Sequence, residues 1–103
     1  MRTFFSRTFM KEETLEEARI SYPIKLEYYK ITNEEEIVEQ NKARFGISIV
    51  KTEYKKDGIK IENEKVEHVS NKESRIDEIL NILERNEVTP ITLKDIVNDI
   101  LNG

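Results

Sequence analysis

The pattern of apolar residues predicts an α+β fold. It takes the form of a three- to four-stranded antiparallel sheet, mostly a meander, with two C-terminal helices packed across one face. Three observations carry this. Ile20, Tyr22, Ile24, Leu26 and Tyr28 recur with a period of two, the mark of a half-buried strand. Asp57-Gly58 stands between two β-rich runs, RFGISIVKTEY and IKIENEKVEHV, as in a tight hairpin. Ile76, Ile79, Leu80 and Leu83 recur at spacings of three and four, which draws one apolar stripe along a helix.

Taken in order, residues 2–10 mix Thr with Phe and read as a strand. The alternative is a basic amphipathic segment lying on a membrane, with Arg2, Arg7 and Lys11 beside Phe4, Phe5, Phe9 and Met10. Glu12, Glu13, Glu16 and Glu17 follow at once and would repel anionic lipid, so the strand is preferred. The next strand spans 19–31. Pro23 has no amide hydrogen to donate, so this strand lies at an edge there or begins just after it. Residues 32–43 form a polar connection. Thr32 and Glu35 there resemble a capping box, and only Ile37 and Val38 could anchor it.

Residues 44–69 form the hairpin. With Asp57-Gly58 as its two-residue loop, Ile49 faces Val66, Ile47 faces His68, Lys51 faces Glu64 and Tyr54 faces Ile61. This sets apolar against apolar and opposite charges together. Near the root the apolar face then holds Phe45, Ile47, Ile49 and Val66. Near the tip the opposite face is apolar, with Val50, Tyr54, Ile59 and Ile61. One pleat cannot bury both sets against one layer. The expected remedy is a bulge near Asn63-Glu64 or a cover from the N-terminal segment, ahead of a second copy of the chain.

The helical end opens on S-x-x-E at Ser70–Glu73, a capping box. The first helix ends near Asn86 or Glu87. Thr89-Pro90 forbids its continuation, because the residue before Pro is pushed to extended geometry. A second helix starts at Thr92 and carries Leu93, Ile96, Val97, Ile100 and Leu101. Val88, Ile91 and Leu93 should clamp the turn onto the sheet.

Composition bounds the function. The 103 residues make one domain, sheet first and helical hairpin from about residue 70. There is no Cys, which excludes thiolate chemistry and disulfides and suits a reducing compartment. No apolar run approaches a membrane span, and the N-terminus lacks a secretory pattern, so a cytoplasmic location is expected. Abundant Ile, Lys and Asn point to an AT-rich genome. Net charge is −4, which argues against a surface that tracks phosphates.

Chemistry has few places to sit. His68 is the single histidine, and without Cys it cannot anchor zinc, so it reads as structural. Gly46, Gly58 and Gly103 form no phosphate loop. The serines have no nucleophile elbow, and Asp95, Asp99 and Glu34-Glu35-Glu36 read as solvated charge. No cofactor, metal or catalytic residue is expected, and no small-molecule substrate is evident. Two binding surfaces remain. Val50, Tyr54, Ile59 and Ile61 form an apolar patch for a protein partner or a second copy. Lys51, Lys55, Lys56 and Lys60, beside Tyr54, form a basic strip for nucleic acid. Glu53, Asp57 and Glu62 dilute that strip, so contact with protein is the preferred function and weak nucleic-acid binding the alternative.

The C-terminal run RIDEILNILERNEVTPITLKDIVNDIL, with the "LEYY" and "FGISIVK" strands before it, resembles a family of short uncharacterised bacterial proteins, a domain of unknown function. The resemblance covers roughly residues 22–101. Its most specific part is Asn86, Val88-Thr89-Pro90, Thr92-Leu93 and Asp95. It implies a bacterial, cytosolic origin, no assigned activity and no catalytic residue.

Overall fold

A computed structural model describes residues 1–34 and 42–103. The chain runs β1 (Arg2–Phe9), α1 (Glu12–Glu17), β2 (Ile24–Thr32), β3 (Phe45–Lys55), β4 (Gly58–Ser70), α2 (Glu73–Arg85), a 3₁₀ turn (Pro90–Thr92) and α3 (Leu93–Asn102). The four strands form one antiparallel sheet in the order β1-β2-β3-β4, the expected meander. The proposed capping box at Thr32–Glu35 and the anchors Ile37 and Val38 fall at or beyond the boundary of the described residues. Thr32 itself ends β2.

Strand alternation sorts the side chains into two faces. Ile24, Leu26 and Tyr28 of β2 lie on one face with Ile47 and Ile49 of β3, and all five are buried. Across them lie Ile76, Ile79, Leu80 and Leu83 of α2, with Val88, Leu93 and Val97, in one core. β2 begins directly after Pro23, where the missing amide costs no ladder bond. The helices thus close a single face of the sheet.

One buried polar bond fixes their position. The Tyr28 hydroxyl donates to the carbonyl of Val88 at 2.9 Å, with both side chains inside the core. That carbonyl lies in the turn between α2 and α3, where neither helix supplies a donor. At the other end of α2, Lys30 Nζ lies 2.7 Å from both Glu73 and Asp77. The hydrogen bonds to Asp77 first, and to Glu73, raise the Lys30 pKa. β2 therefore holds α2 at its start and its finish.

Both α1 and α2 end in the same way. Ile20 N–H donates to Leu15 O and Arg19 N–H to Glu16 O; Val88 N–H donates to Leu83 O and Glu87 N–H to Glu84 O. These are Schellman motifs, each with its apolar pair, Ile20 on Leu15 and Val88 on Leu83. The left-handed position is taken by Arg19 (φ 58°) and Glu87 (φ 51°) rather than by glycine, which costs roughly 1–2 kcal/mol each. Glu87 gains from it. Its carboxylate accepts Lys11 N–H at 2.8 Å and Thr14 Oγ at 3.2 Å, tying α1 to the end of α2.

Several expectations are corrected. The short helix α1 arises where only a charge run was foreseen. The hairpin turns on Lys56-Asp57, so Lys55 pairs with Gly58, Tyr54 with Ile59, Lys51 with Glu62, Ile49 with Glu64 and Ile47 with Val66. Within the hairpin Gly58 alone takes a positive φ, at 147°. Placing Asp57 in the left-handed region would have added strain that Gly after the turn avoids. The ladder runs unbroken past Asn63-Glu64. The irregularity falls at the root, where Phe45 pairs with Ser70 and Ile47 with Val66. Ser70 makes no helix cap: it ends β4 and its Oγ accepts Lys72 N–H at 3.1 Å, and the N-cap Lys72 has no side-chain cap bond. Ile91 does not clamp the turn, because the 3₁₀ turn points it outward, 86% exposed. Val88 and Leu93 are buried as expected.

Gly46 sits opposite the root bulge. A Cβ there would lie 2.3 Å from Val66 O and 2.4 Å from Glu67 O, both backbone atoms. Asn33 Nδ2 donates to Glu67 O at 2.6 Å and to Arg44 O at 3.0 Å, which satisfies a carbonyl the bulge removes from the ladder. His68 Nδ1 lies 2.9 Å from Ala43 O, a carbonyl that casts Nδ1 as the donor.

These bonds generate three tests. Gly46→Ala should lower stability by about 1–3 kcal/mol, since backbone must move; an unchanged urea midpoint would remove the close approach. Leu80→Ala should cost about 2–5 kcal/mol, and Ile96→Ala, only half-buried, less. Tyr28→Phe orphans the Val88 carbonyl and should cost about 1–3 kcal/mol. Burial raises the Tyr28 phenol well above its usual value of 10.0. A raised folded pKa gives stability that is complete below the unfolded value and lost as pH rises past it. Wild type should therefore weaken above about pH 10, and Tyr28→Phe should flatten that alkaline slope.

Candidate functional site

Among the described residues, no helix covers the face of the sheet opposite α2 and α3. It is built from alternate residues of all four strands: Arg2, Phe4, Arg7 and Phe9 of β1; Lys25, Glu27, Tyr29 and Ile31 of β2; Ser48, Val50, Thr52 and Tyr54 of β3; Ile59, Ile61, Asn63 and Lys65 of β4. Phe4, Phe9, Ile59 and Ile61 are each more than half exposed. An antiparallel sheet can keep one face in water, but such a face is normally polar. Four large apolar side chains on it make a patch of the kind that marks a contact surface.

The structure brings Val50, Tyr54, Ile59 and Ile61 together here. The pleat continues without a bulge, so the root set enters the core and the tip set stays on the open side. The foreseen cover does not form. The N-terminal strand lies beside the patch instead, with the Phe9 ring 6.4 Å from that of Tyr54. At the far end Phe4 meets Tyr29 edge-on at 5.8 Å, and the Arg2 guanidinium sits 4.1 Å from the Tyr29 ring centre. Lys25 lies 5.8 Å from the Tyr54 ring centre. Sequence reasoning missed Phe4, Phe9, Tyr29 and Ile31 as members of this face. The period-two alternation of β1 held the signal, but the extra residue Phe5 between Phe4 and Ser6 breaks it. Phe5 packs on the core while Phe4 faces outward.

The lysines do not gather into a free strip. Lys51 and Lys60 point to the helix side of the sheet, into a cluster with Glu53 and Glu62. Lys60 Nζ lies 3.0 Å from Glu62, and Lys51 lies 3.8 Å from Glu62 and 3.9 Å from Glu53. The hydrogen bond from Lys60, then the charge of Lys51, lower the Glu62 pKa. Glu53 is nearly buried and accepts the Tyr22 hydroxyl at 3.0 Å, a bond that raises the Tyr22 pKa. Lys55 lies 5.6 Å from the Tyr22 ring centre, and Lys56 sits in the exposed turn. Carboxylates thus answer two of the four cations.

Among the described residues, no group of three or more His, Asp or Glu side chains could hold a metal ion. Nor, among those residues, is any helix long and apolar enough to cross a membrane. A shallow hollow of about 330 Å³ lies on the open face, lined by Met1, Arg2, Ile31, Ser48, Asn63 and Lys65. No curated protein and no solved structure matches the chain. A family model matches residues 6–103, from the middle of β1 through α3, so it takes in both faces of the sheet and the helical hairpin. With nearly its whole length matched, the chain belongs to DUF6514, a family of unknown function.

Proposed function

We propose that this protein is a non-enzymatic binding module that works by macromolecular contact through the open face of its sheet. The observation that carries the reading is the exposure of Phe4, Phe9, Ile59 and Ile61 on one face of a sheet whose other face carries the core. Each exposed side chain of this size loses roughly 1.5–3 kcal/mol of burial that a partner could restore. The aromatic pairs add rigid, low-entropy surface of the kind enriched in binding interfaces. The setting we propose is a bacterial cytosol, in keeping with the resemblance and the lack of cysteine.

Affinity purification from the native cell tests this. Wild-type protein should retain a specific macromolecule, and the variant carrying Tyr54→Ser and Ile61→Ser should lose it while melting within a few degrees of wild type. Equal recovery by both proteins would remove the open face as the working surface.

A further inference from the structure

The open face carries charge as well as apolar area, and the excess is positive. Arg2, Arg7, Lys25 and Lys65 stand there, with Glu27 opposite Arg7 in the ladder and Glu67 beside Lys65, although the whole chain carries −4. Lys25 answers Glu27 at 3.6 Å. Lys65 is held by Glu67 at 2.8 Å. Arg2 and Arg7 make no ion pair among the described residues, and both are exposed. The acidic excess lies elsewhere, on the helices and on the helix side of the sheet.

Rings and cations are interleaved. Phe4 with Tyr29 forms one aromatic pair and Phe9 with Tyr54 a second, and Arg7 lies between them along β1. Four residues separate the two phenylalanines, and because of the bulge they stand about 13 Å apart along the strand. Asn63 supplies an exposed amide on the same face, whereas Ser48 and Thr52 are buried beneath their larger neighbours. Flat apolar rings, guanidinium groups and the exposed Asn63 amide on one surface match three parts of one ligand: bases, phosphates and base edges.

We propose that the open face binds single-stranded nucleic acid, with bases stacked on Phe4 and Phe9 and phosphates held by Arg2 and Arg7. The proposal rests on the reading of this face as the working surface and names its partner. A single strand is favoured over a duplex because stacking needs unpaired bases, and a broad sheet face does not fit a groove. An anionic membrane would use the rings and the arginines but not the Asn63 amide. The acidic total charge conceals this surface in the sequence, because binding depends on local field rather than on net charge.

Fluorescence anisotropy with short labelled oligouridylate and oligothymidylate tests it, at low and at physiological salt. Matching duplexes and phosphatidylserine vesicles run in parallel. Wild type should bind the single strands, and more weakly as salt rises. Phe9→Ser should weaken binding by roughly five- to hundredfold. Arg7→Glu should weaken it and flatten the salt dependence. Both residues are exposed, so thermal midpoints should stay near wild type, and the second variant serves if the first fails to fold. No binding at low salt overturns the proposal, as does binding that both variants retain, or a duplex held as tightly as the single strand. Vesicle binding without oligonucleotide binding also overturns it. If that vesicle binding is lost in the same variants, the open face remains the working surface and only the nucleic-acid partner is removed.

Discussion

The hydrogen bond from the Tyr28 hydroxyl to the Val88 carbonyl is the constraint on which the rest of the molecule depends. A phenol at the centre of a core must find an acceptor, and a carbonyl at a helix end must find a donor. Here each solves the other's problem at 2.9 Å. The consequence is positional. The turn between α2 and α3 is held over β2, and the apolar stripes of both helices fall on one side of the sheet. Lys30, between Glu73 and Asp77, fixes the other end of α2. Glu87 then uses its left-handed backbone to reach α1.

Closing one face leaves the other to solvent. β3 and β4 make this matter, because their apolar residues change sides along the hairpin. Ile47, Ile49 and Val66 serve the core near the root, and Val50, Tyr54, Ile59 and Ile61 face outward near the tip. On the helix side of the tip the vacated positions hold Glu53, Lys51, Lys60 and Glu62, which pair with one another. The charge there is spent internally. On the open side Glu27 lies opposite Arg7 in the ladder but is held by Lys25, and neither Arg2 nor Arg7 forms an ion pair among the described residues.

Much of this was legible in the chain. Period-two and period-three-to-four patterns gave the meander, the helix pair and nearly the whole core. The switch of apolar side along the hairpin was readable too, and it placed Val50, Tyr54, Ile59 and Ile61 on a common patch. What was hidden had specific causes. The register rested on Asp57-Gly58 as central turn residues, whereas Lys56-Asp57 followed by Gly58 spares Asp57 the strained backbone. Both Schellman ends lack the glycine that would have announced them. The bulge at the root depends on Gly46 being the one residue that admits the Glu67 carbonyl, a long-range fact. The added Phe5 in β1 hid which phenylalanines face outward. Lys51 and Lys60 looked like a strip because adjacency in sequence does not report which side of a pleat a residue occupies.

The division into a closed and an open face can be measured directly. A soluble paramagnetic chelate broadens the signals of side chains it can approach. In NMR spectra of the full chain, the methyl groups of Ile59 and Ile61 and the rings of Phe4 and Phe9 should be strongly broadened. Those of Ile49, Leu80 and Tyr28 should be spared. Protection of Ile59 and Ile61 equal to that of Ile49 would contradict a bare sheet face.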